Sequence, residues 1–204
     1  MKSYGSDRPY LVSEFGPEGY WQPDFTKADA SGSVLEDGGL RKAHLYKRRW
    51  LDQIAPFKGD NVGGIAYCWT DRLEGTATWF GITDNKGRKK PAYCALRELW
   101  AMKPCAHPMS EVYIFAPEEA VEQGKEYTFF AVTEDSRKPG LKYEWYLCKD
   151  EFVMMNARVD IEDNGRMAKV VIPDKKSTYR LYVNVSDGNG FTNSASLPLP
   201  AFRK

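Results

Sequence analysis

The sequence predicts an α/β segment followed by an all-β segment. Three observations carry this. Between residues 9 and 102, short apolar runs alternate with stretches of helical periodicity. After residue 110 only strand-like runs are readable. Between the two, Lys103-Pro104-Cys105-Ala106-His107-Pro108 carries two prolines, which stop a helix. The boundary is therefore placed there, giving parts 1–107 and 108–204.

In the first part, Pro9-Tyr10-Leu11-Val12-Ser13-Glu14-Phe15-Gly16 reads as a short buried strand that ends at a polar residue and a glycine. A loop rich in Gly, Pro and aromatic residues follows. From Gly39 to Ile54, apolar residues recur at three- and four-residue intervals, the pattern of one helix face. Gly63-Gly64-Ile65-Ala66-Tyr67-Cys68-Trp69 reads as a second buried strand. A long loop runs through Thr70 to Lys90. Pro91 then starts a helix over Ala92 to Met102, at the position where proline is best tolerated. The order strand, helix, strand, helix implies parallel strands. Strands this apolar need cover on both faces, which two helices cannot supply, so the part reads as a piece of a larger sheet.

The second part is expected to hold strands at Val112–Ala116, Glu126–Thr133, Leu141–Cys148, Ala168–Ile172, Thr178–Asp187 and Phe191–Leu197. Turn signals separate them, among them Lys138-Pro139-Gly140, Asp163-Asn164-Gly165 and Asp187-Gly188-Asn189-Gly190. Trp145 alternates with Tyr143 and Leu147 on one face. Tyr179, Leu181, Val183 and Val185 repeat the pattern. Several short strands in so few residues suggest a small antiparallel sandwich of immunoglobulin-like type. Asp160-Ile161-Glu162-Asp163-Asn164-Gly165 lacks calcium-loop spacing and reads as a turn.

Composition excludes some classes of function. Net charge is +1, with both signs interleaved, which argues against nucleic acid or a membrane surface as a charge-driven partner. No apolar run is long enough to span a bilayer. Met1 to Pro9 lacks the apolar stretch of a signal peptide, so the chain as written would stay in the cytoplasm. An upstream signal peptide on a longer protein would make it secreted or periplasmic. The four cysteines, at 68, 94, 105 and 148, have no zinc or thioredoxin-like spacing and are expected to be buried free thiols. Cys94 and Cys105 are the pair close enough to suggest a bridge. No metal and no cofactor is expected.

Glu14, at the C-terminal end of a strand, has two readings: a carboxylate that attacks an anomeric carbon, or a loop glutamate capping a neighbour. Around it, Pro9-Tyr10-Leu11-Val12-Ser13-Glu14-Phe15-Gly16 resembles the seventh-strand motif of the retaining glycoside hydrolase clan that includes families 2 and 5. Ala66-Tyr67-Cys68-Trp69-Thr70-Asp71 resembles its eighth-strand motif. Glu74 to Asp84 and Lys90-Pro91-Ala92-Tyr93 continue the likeness, which covers residues 8 to 102 and is nearest the β-galactosidase and β-glucuronidase type. The resemblance implies the last two βα units of a (β/α)8 barrel, Glu14 as nucleophile and Trp69 as a platform under the sugar. It also implies a cis peptide between Trp69 and Thr70.

Asp71, Glu74, Trp79 and Trp21 are further candidate substrate-binding residues. Packing is an equal reading for Trp79. The clan's acid/base, a Glu in an Asn-Glu pair on an earlier strand, has no counterpart here. Retaining hydrolysis needs two carboxyl groups about 5–5.5 Å apart, and neither Asp71 nor Glu74 is expected to replace the missing one. The chain therefore reads as an inactive fragment of a retaining glycoside hydrolase with a carbohydrate substrate. It would be completed by an N-terminal barrel chain or would self-associate. The alternative is a non-catalytic carbohydrate-binding or accessory protein.

Overall fold

The structure, a computed structural model, describes residues 8–22, 27–149, 153–154 and 159–203. The N-terminal stretch read for a signal peptide lies mostly outside the described residues, as do the side chains of Asp160, Ile161, Glu162 and Asn164 in the candidate turn.

The chain begins with β1 (Tyr10–Phe15), a short hairpin of β2 (Lys27–Ala28) and β3 (Val34–Leu35), and α1 (Gly39–Arg49). Helix α1 runs on into a π-helical turn over Trp50–Ile54. Then come β4 (Asn61–Ala66) and α2 (Pro91–Ala101). Nine strands follow: β5 (Val112–Phe115), β6 (Val121–Glu122), β7 (Glu126–Thr133), β8 (Lys142–Lys149), β9 (Val153–Met154), β10 (Val159–Glu162), β11 (Met167–Val171), β12 (Thr178–Ser186) and β13 (Thr192–Phe202).

Strands β1 and β4 pair in parallel and form a two-stranded sheet. Both helices lie against one face. Phe15, Tyr46, Ile54, Ile82, Ala92 and Leu96 make the core between them, with Val12 and Ala66 partly buried against it. The other face is bare: Leu11 is 49% and Ile65 55% exposed, and Val62 is exposed as well. Helix α1 is fixed at its start from far away in sequence. The Glu111 carboxylate accepts from the free N–H groups of Gly39 (2.8 Å) and Leu40 (3.0 Å), where a negative charge also suits the helix dipole. Lys47, Arg48 and Arg49 occupy its last turn, which suits the opposite pole. Helix α2 starts at Pro91 and ends at Met102, in the left-handed region at φ 52°.

The C-terminal strands form two sheets. One has the order β10-β11-β7-β5. The other has the order β6-β13-β12-β8-β9, antiparallel except where β6 joins β13. Alternation decides which side chains enter the core. Phe129 and Ala131 from β7 meet Leu147 of β8 and Leu181 and Val183 of β12 there. Full burial of such side chains stabilises by about 1.5–3 kcal/mol each.

The expected α/β class is corrected. Among the described residues the chain is mostly β with two α-helices, and the strand–helix repeat of a (β/α)8 barrel is absent. Among the described residues β1 pairs with β4 alone, so the parallel sheet has two strands. The expectation of free thiols throughout is also corrected. Cys94 and Cys105 form a disulfide that ties α2 to the connecting segment, while Cys68 and Cys148 remain thiols.

The seam between the first part and the C-terminal sheets is polar. At its centre, the Glu36 carboxylate is buried, with its side chain 4% exposed. It accepts from Lys42 Nζ, Thr76 Oγ1 (2.6 Å), Thr78 Oγ1 (2.7 Å) and Ser196 Oγ (2.7 Å). Beside it, Lys90 donates to both oxygens of Asp71 at 2.8 and 3.0 Å, and the Gly81 N–H donates to Asp71 at 3.0 Å. Lys42 and Lys90 both donate to the Thr78 carbonyl. Arg180, fully buried, donates to Val34 O and Ser196 Oγ. Gly39 admits the close approach of Asn193, whose Oδ1 would lie 2.0 Å from a Cβ at that position.

Burial acts against the Glu36 charge, yet the two lysines and the hydroxyl donors outweigh it and hold its pKa at about 2. Burial, and after it the second ammonium of Lys90, depresses Lys42 below the usual lysine range in spite of Glu36 and Asp71. Burial raises Asp71 above the usual aspartate range in spite of Lys90.

These directions generate a pH test. The folded pKa of Glu36 lies below its ordinary value of 4.5, so its contribution is present above about pH 5 and is lost as pH falls toward 2. Glu36→Gln leaves Lys42 buried without its acid, at a cost on the order of 3 kcal/mol at pH 7. In urea unfolding across pH, the gap between wild type and Glu36→Gln should narrow steadily from pH 5 to pH 2. A gap that stays constant over that range would show that the carboxylate charge is not what stabilises the seam.

Candidate functional site

Strand β1 is not regular. Its register against β4 shifts between Val12 and Phe15, which brings both residues to the helix side and leaves Ser13 and Glu14 outward. Glu14 is therefore exposed, and its charge avoids the burial cost expected from a strand interior. It lines a cavity of about 300 Å³ together with Trp21, Arg49, Tyr67, Glu74 and Phe80.

Tyr67 sits one residue past the end of β4. Its N–H donates to the Phe15 carbonyl at 2.9 Å, which ties it to the end of β1. Gly16 makes this approach possible, since a Cβ there would lie 2.7 Å from the Tyr67 carbonyl oxygen. From the other side, the Tyr46 hydroxyl lies between the carbonyls of Tyr67 and Phe80. Burial pushes that hydroxyl above the usual tyrosine range, so it stays a donor. The Tyr67 ring meets Phe80 edge to face at 5.3 Å and carries the Arg72 guanidinium over its face at 4.9 Å. Its own hydroxyl donates to Glu74 Oε2 at 2.6 Å, and Arg72 Nε donates to the same oxygen at 2.9 Å. Glu74 is thus arranged as an acceptor. Arg49 pairs with Glu18 at 3.3 Å on the cavity rim. Trp21, 61% exposed, packs edge to face on Tyr20.

The structure brings Glu14, Glu74 and Trp21 together and separates the remaining candidates. Trp69 is 68% exposed and does not line the Glu14 cavity. The reason is local: the strand ends at Ala66, and Trp69 is held by its carbonyl to the N–H and hydroxyl of Thr83. The expected cis peptide at Trp69–Thr70 is likewise corrected; among the described residues the cis bond is Tyr67–Cys68. Trp79 is 6% exposed, and its indole N–H donates to the Glu18 carbonyl, so it packs beneath the loop. Asp71 is buried in its pair with Lys90 and faces a different cavity, lined by Glu144 and Asn184.

Sequence reasoning missed Tyr67, Phe80 and Arg49. Tyr67 lies two residues before Trp69, with the same strand parity, so the parity was readable. The point at which the chain leaves the strand was not. No protein-family model and no curated protein sequence matches the chain.

Cys68 borders the site and donates to the Thr70 carbonyl at 3.1 Å. Burial first, and then the carboxylates of Asp71 and Glu74, push its thiol above the ordinary range. The thiolate is the reactive form. Iodoacetamide at pH 8 should therefore modify Cys68 more slowly in the native chain than in urea, as read by peptide mass mapping. Equal rates would remove the electronegative surroundings assigned to this corner.

Proposed function

We propose that this chain carries the nucleophile-bearing half of a retaining glycoside hydrolase site, with its acid/base supplied by polypeptide outside this chain. The observation that carries the reading is one cavity that joins the outward carboxylate of Glu14, at the C-terminal end of β1, to the aromatic side chains of Tyr67 and Trp21. The resemblance of residues 8 to 102 to the family 2 and family 5 clan supports it. Aromatic faces suit the apolar face of a sugar ring. A carboxylate free to approach the ring suits attack at its anomeric carbon.

In that reaction, a Glu14 oxygen forms a bond to the anomeric carbon while the bond to the leaving oxygen breaks. The electron pair departs with that oxygen, which takes a proton from the acid. Water then displaces Glu14. Glu74 lines the same cavity, but two donors already claim its Oε2. Its role in this reading is to fix Tyr67 and accept from a sugar hydroxyl.

The test separates the nucleophile from the missing acid. Methyl glycosides, whose alkoxide leaving group needs a proton to depart, should not turn over on the isolated chain, since general acid catalysis contributes about 10²–10⁴-fold. A panel of 2,4-dinitrophenyl 2-deoxy-2-fluoroglycosides needs no protonation of the leaving group. One of them should label the peptide that contains Glu14, and Glu14→Gln should abolish the label. Trp21→Ala should slow labelling by roughly tenfold, and Trp69→Ala should leave it unchanged. Sugar binding with no label at Glu14 would favour the non-catalytic carbohydrate-binding reading. Turnover of a methyl glycoside that is lost in Glu14→Gln would place a working acid within this chain.

A further inference from the structure

Strand β12 is buried on both faces. Tyr179, Leu181, Val183 and Val185 on one face belong to the C-terminal core. Arg180, Tyr182, Asn184 and Ser186 on the other carry polar groups and lie under the first part of the chain. That cover answers three of the four. Arg180 donates to the Val34 carbonyl, the Tyr182 hydroxyl accepts from the Ala77 N–H at 3.1 Å, and the Ser186 hydroxyl accepts from Arg88 at 3.1 Å. Asn184 is the exception. Its amide hydrogen-bonds the Tyr146 hydroxyl on the neighbouring strand. Its Oδ1 is buried and has no hydrogen-bond partner among the described residues. A buried oxygen in that state calls for a donor. Asn184 is 6% exposed and lines a cavity of about 420 Å³ between the loop that joins β4 to α2 and strands β8 and β12. One water occupies about 30 Å³, so the space admits a much larger molecule.

The charges on the lining decide the class of ligand. Each already has an opposite partner: Asp71 with Lys90, Asp84 with Arg88, Arg72 with Glu74, and Lys86 with Glu144. An ion entering here would lose its hydration and meet no unmatched charge. The one unanswered group, Asn184 Oδ1, is neutral. Paired carboxylates keep further lone pairs, and paired ammonium and guanidinium groups keep further N–H donors, so acceptors and donors alternate around the wall. Leu73 and Tyr146 add apolar surface. We propose that this cavity binds a single neutral sugar ring, one of whose hydroxyls donates to Asn184 Oδ1. Ring hydroxyls both donate and accept, which suits a wall of mixed donors and acceptors with no net charge to satisfy. The cavity shares no lining residue with the Glu14 cavity, and the proposal stands whether or not Glu14 is a nucleophile.

The experiment is a titration of the full chain, labelled with nitrogen-15, followed by NMR. The probes are glucose, galactose, mannose and xylose, with glucuronate, galacturonate and glucosamine as charged counterparts. The Asn184 side-chain amide and the Ala77 N–H report on this cavity, and the Trp21 indole N–H reports on the Glu14 cavity. At least one neutral sugar should shift the Asn184 and Ala77 signals to saturation, and its charged counterpart should bind more weakly. Asn184→Ala, read at Ala77, should weaken binding by roughly fivefold, the effect of one neutral hydrogen bond. Leu73→Arg, at a position that is 51% exposed, places a long side chain at the cavity and should weaken binding to a similar degree. It carries the test if Asn184→Ala does not fold. Shifts confined to Trp21 overturn the proposal and leave the Glu14 reading standing. No shift at Asn184 and Ala77 with any neutral sugar also overturns it. So does a charged counterpart that binds as tightly as the neutral sugar, or binding that is unaltered in the folded variants.

Discussion

The buried carboxylate of Glu36 is the constraint on which the rest of the structure depends. It collects donors from α1, from the loop between β4 and α2, and from β13. A charge so deeply buried is costly unless its lone pairs are answered, and here the four donors come from three elements. Displacing any of those elements would leave an unanswered charge, so the three are locked relative to one another. The pair of Lys90 and Asp71 extends the lock along the same loop. That loop also carries Glu74 and Phe80, so the far wall of the Glu14 cavity is positioned by ionic contacts that do not themselves line it.

The two sides of the site are held by different physics. Glu14 is placed by backbone pairing in the parallel sheet and by the packing of Phe15 against Tyr46 and Trp50. Glu74 is placed by hydrogen bonds and ion pairs. Tyr67 joins the two, because its N–H belongs to the end of β1 and its hydroxyl to Glu74. The opposite face of the sheet, with Leu11, Val62 and Ile65, contributes nothing to this arrangement and is left to solvent.

Legibility in the sequence followed the strength of local pattern. The apolar spacing from Gly39 to Ile54 marked α1 and its π-helical continuation together, and the alternation around Trp145 and Leu181 marked the strands that fill the C-terminal core. Strands of two residues such as β2, β6 and β9 carry no period: β2 and β9 form in short hairpins with β3 and β8, and β6 forms by long-range pairing with β13. The fold class was misread because two apolar strands separated by helical spacing implied a parallel sheet that would extend, whereas among the described residues β1 and β4 pair only with each other. At the site, Glu14 was visible as a charge at the end of an apolar run. Tyr67 was hidden behind the more conspicuous Trp69, since nothing local tells where the chain turns out of β4. Glu36, the most constrained carboxylate, stood in a featureless loop, because its partners lie up to 160 positions away.

That separation has a consequence for how the molecule is made. Glu36 leaves the ribosome 160 residues ahead of Ser196. At about 5–20 residues per second, this is an interval of roughly 8–32 s. Lys42, Thr76 and Thr78 arrive early and can solvate the carboxylate in the meantime. Arg180, whose partners are Val34 and Ser196, is translated late and meets a hairpin made 146 positions before it. Strand β13 therefore closes a charged socket assembled during earlier stages of synthesis, and its arrival sets the moment at which the Glu36 seam becomes native.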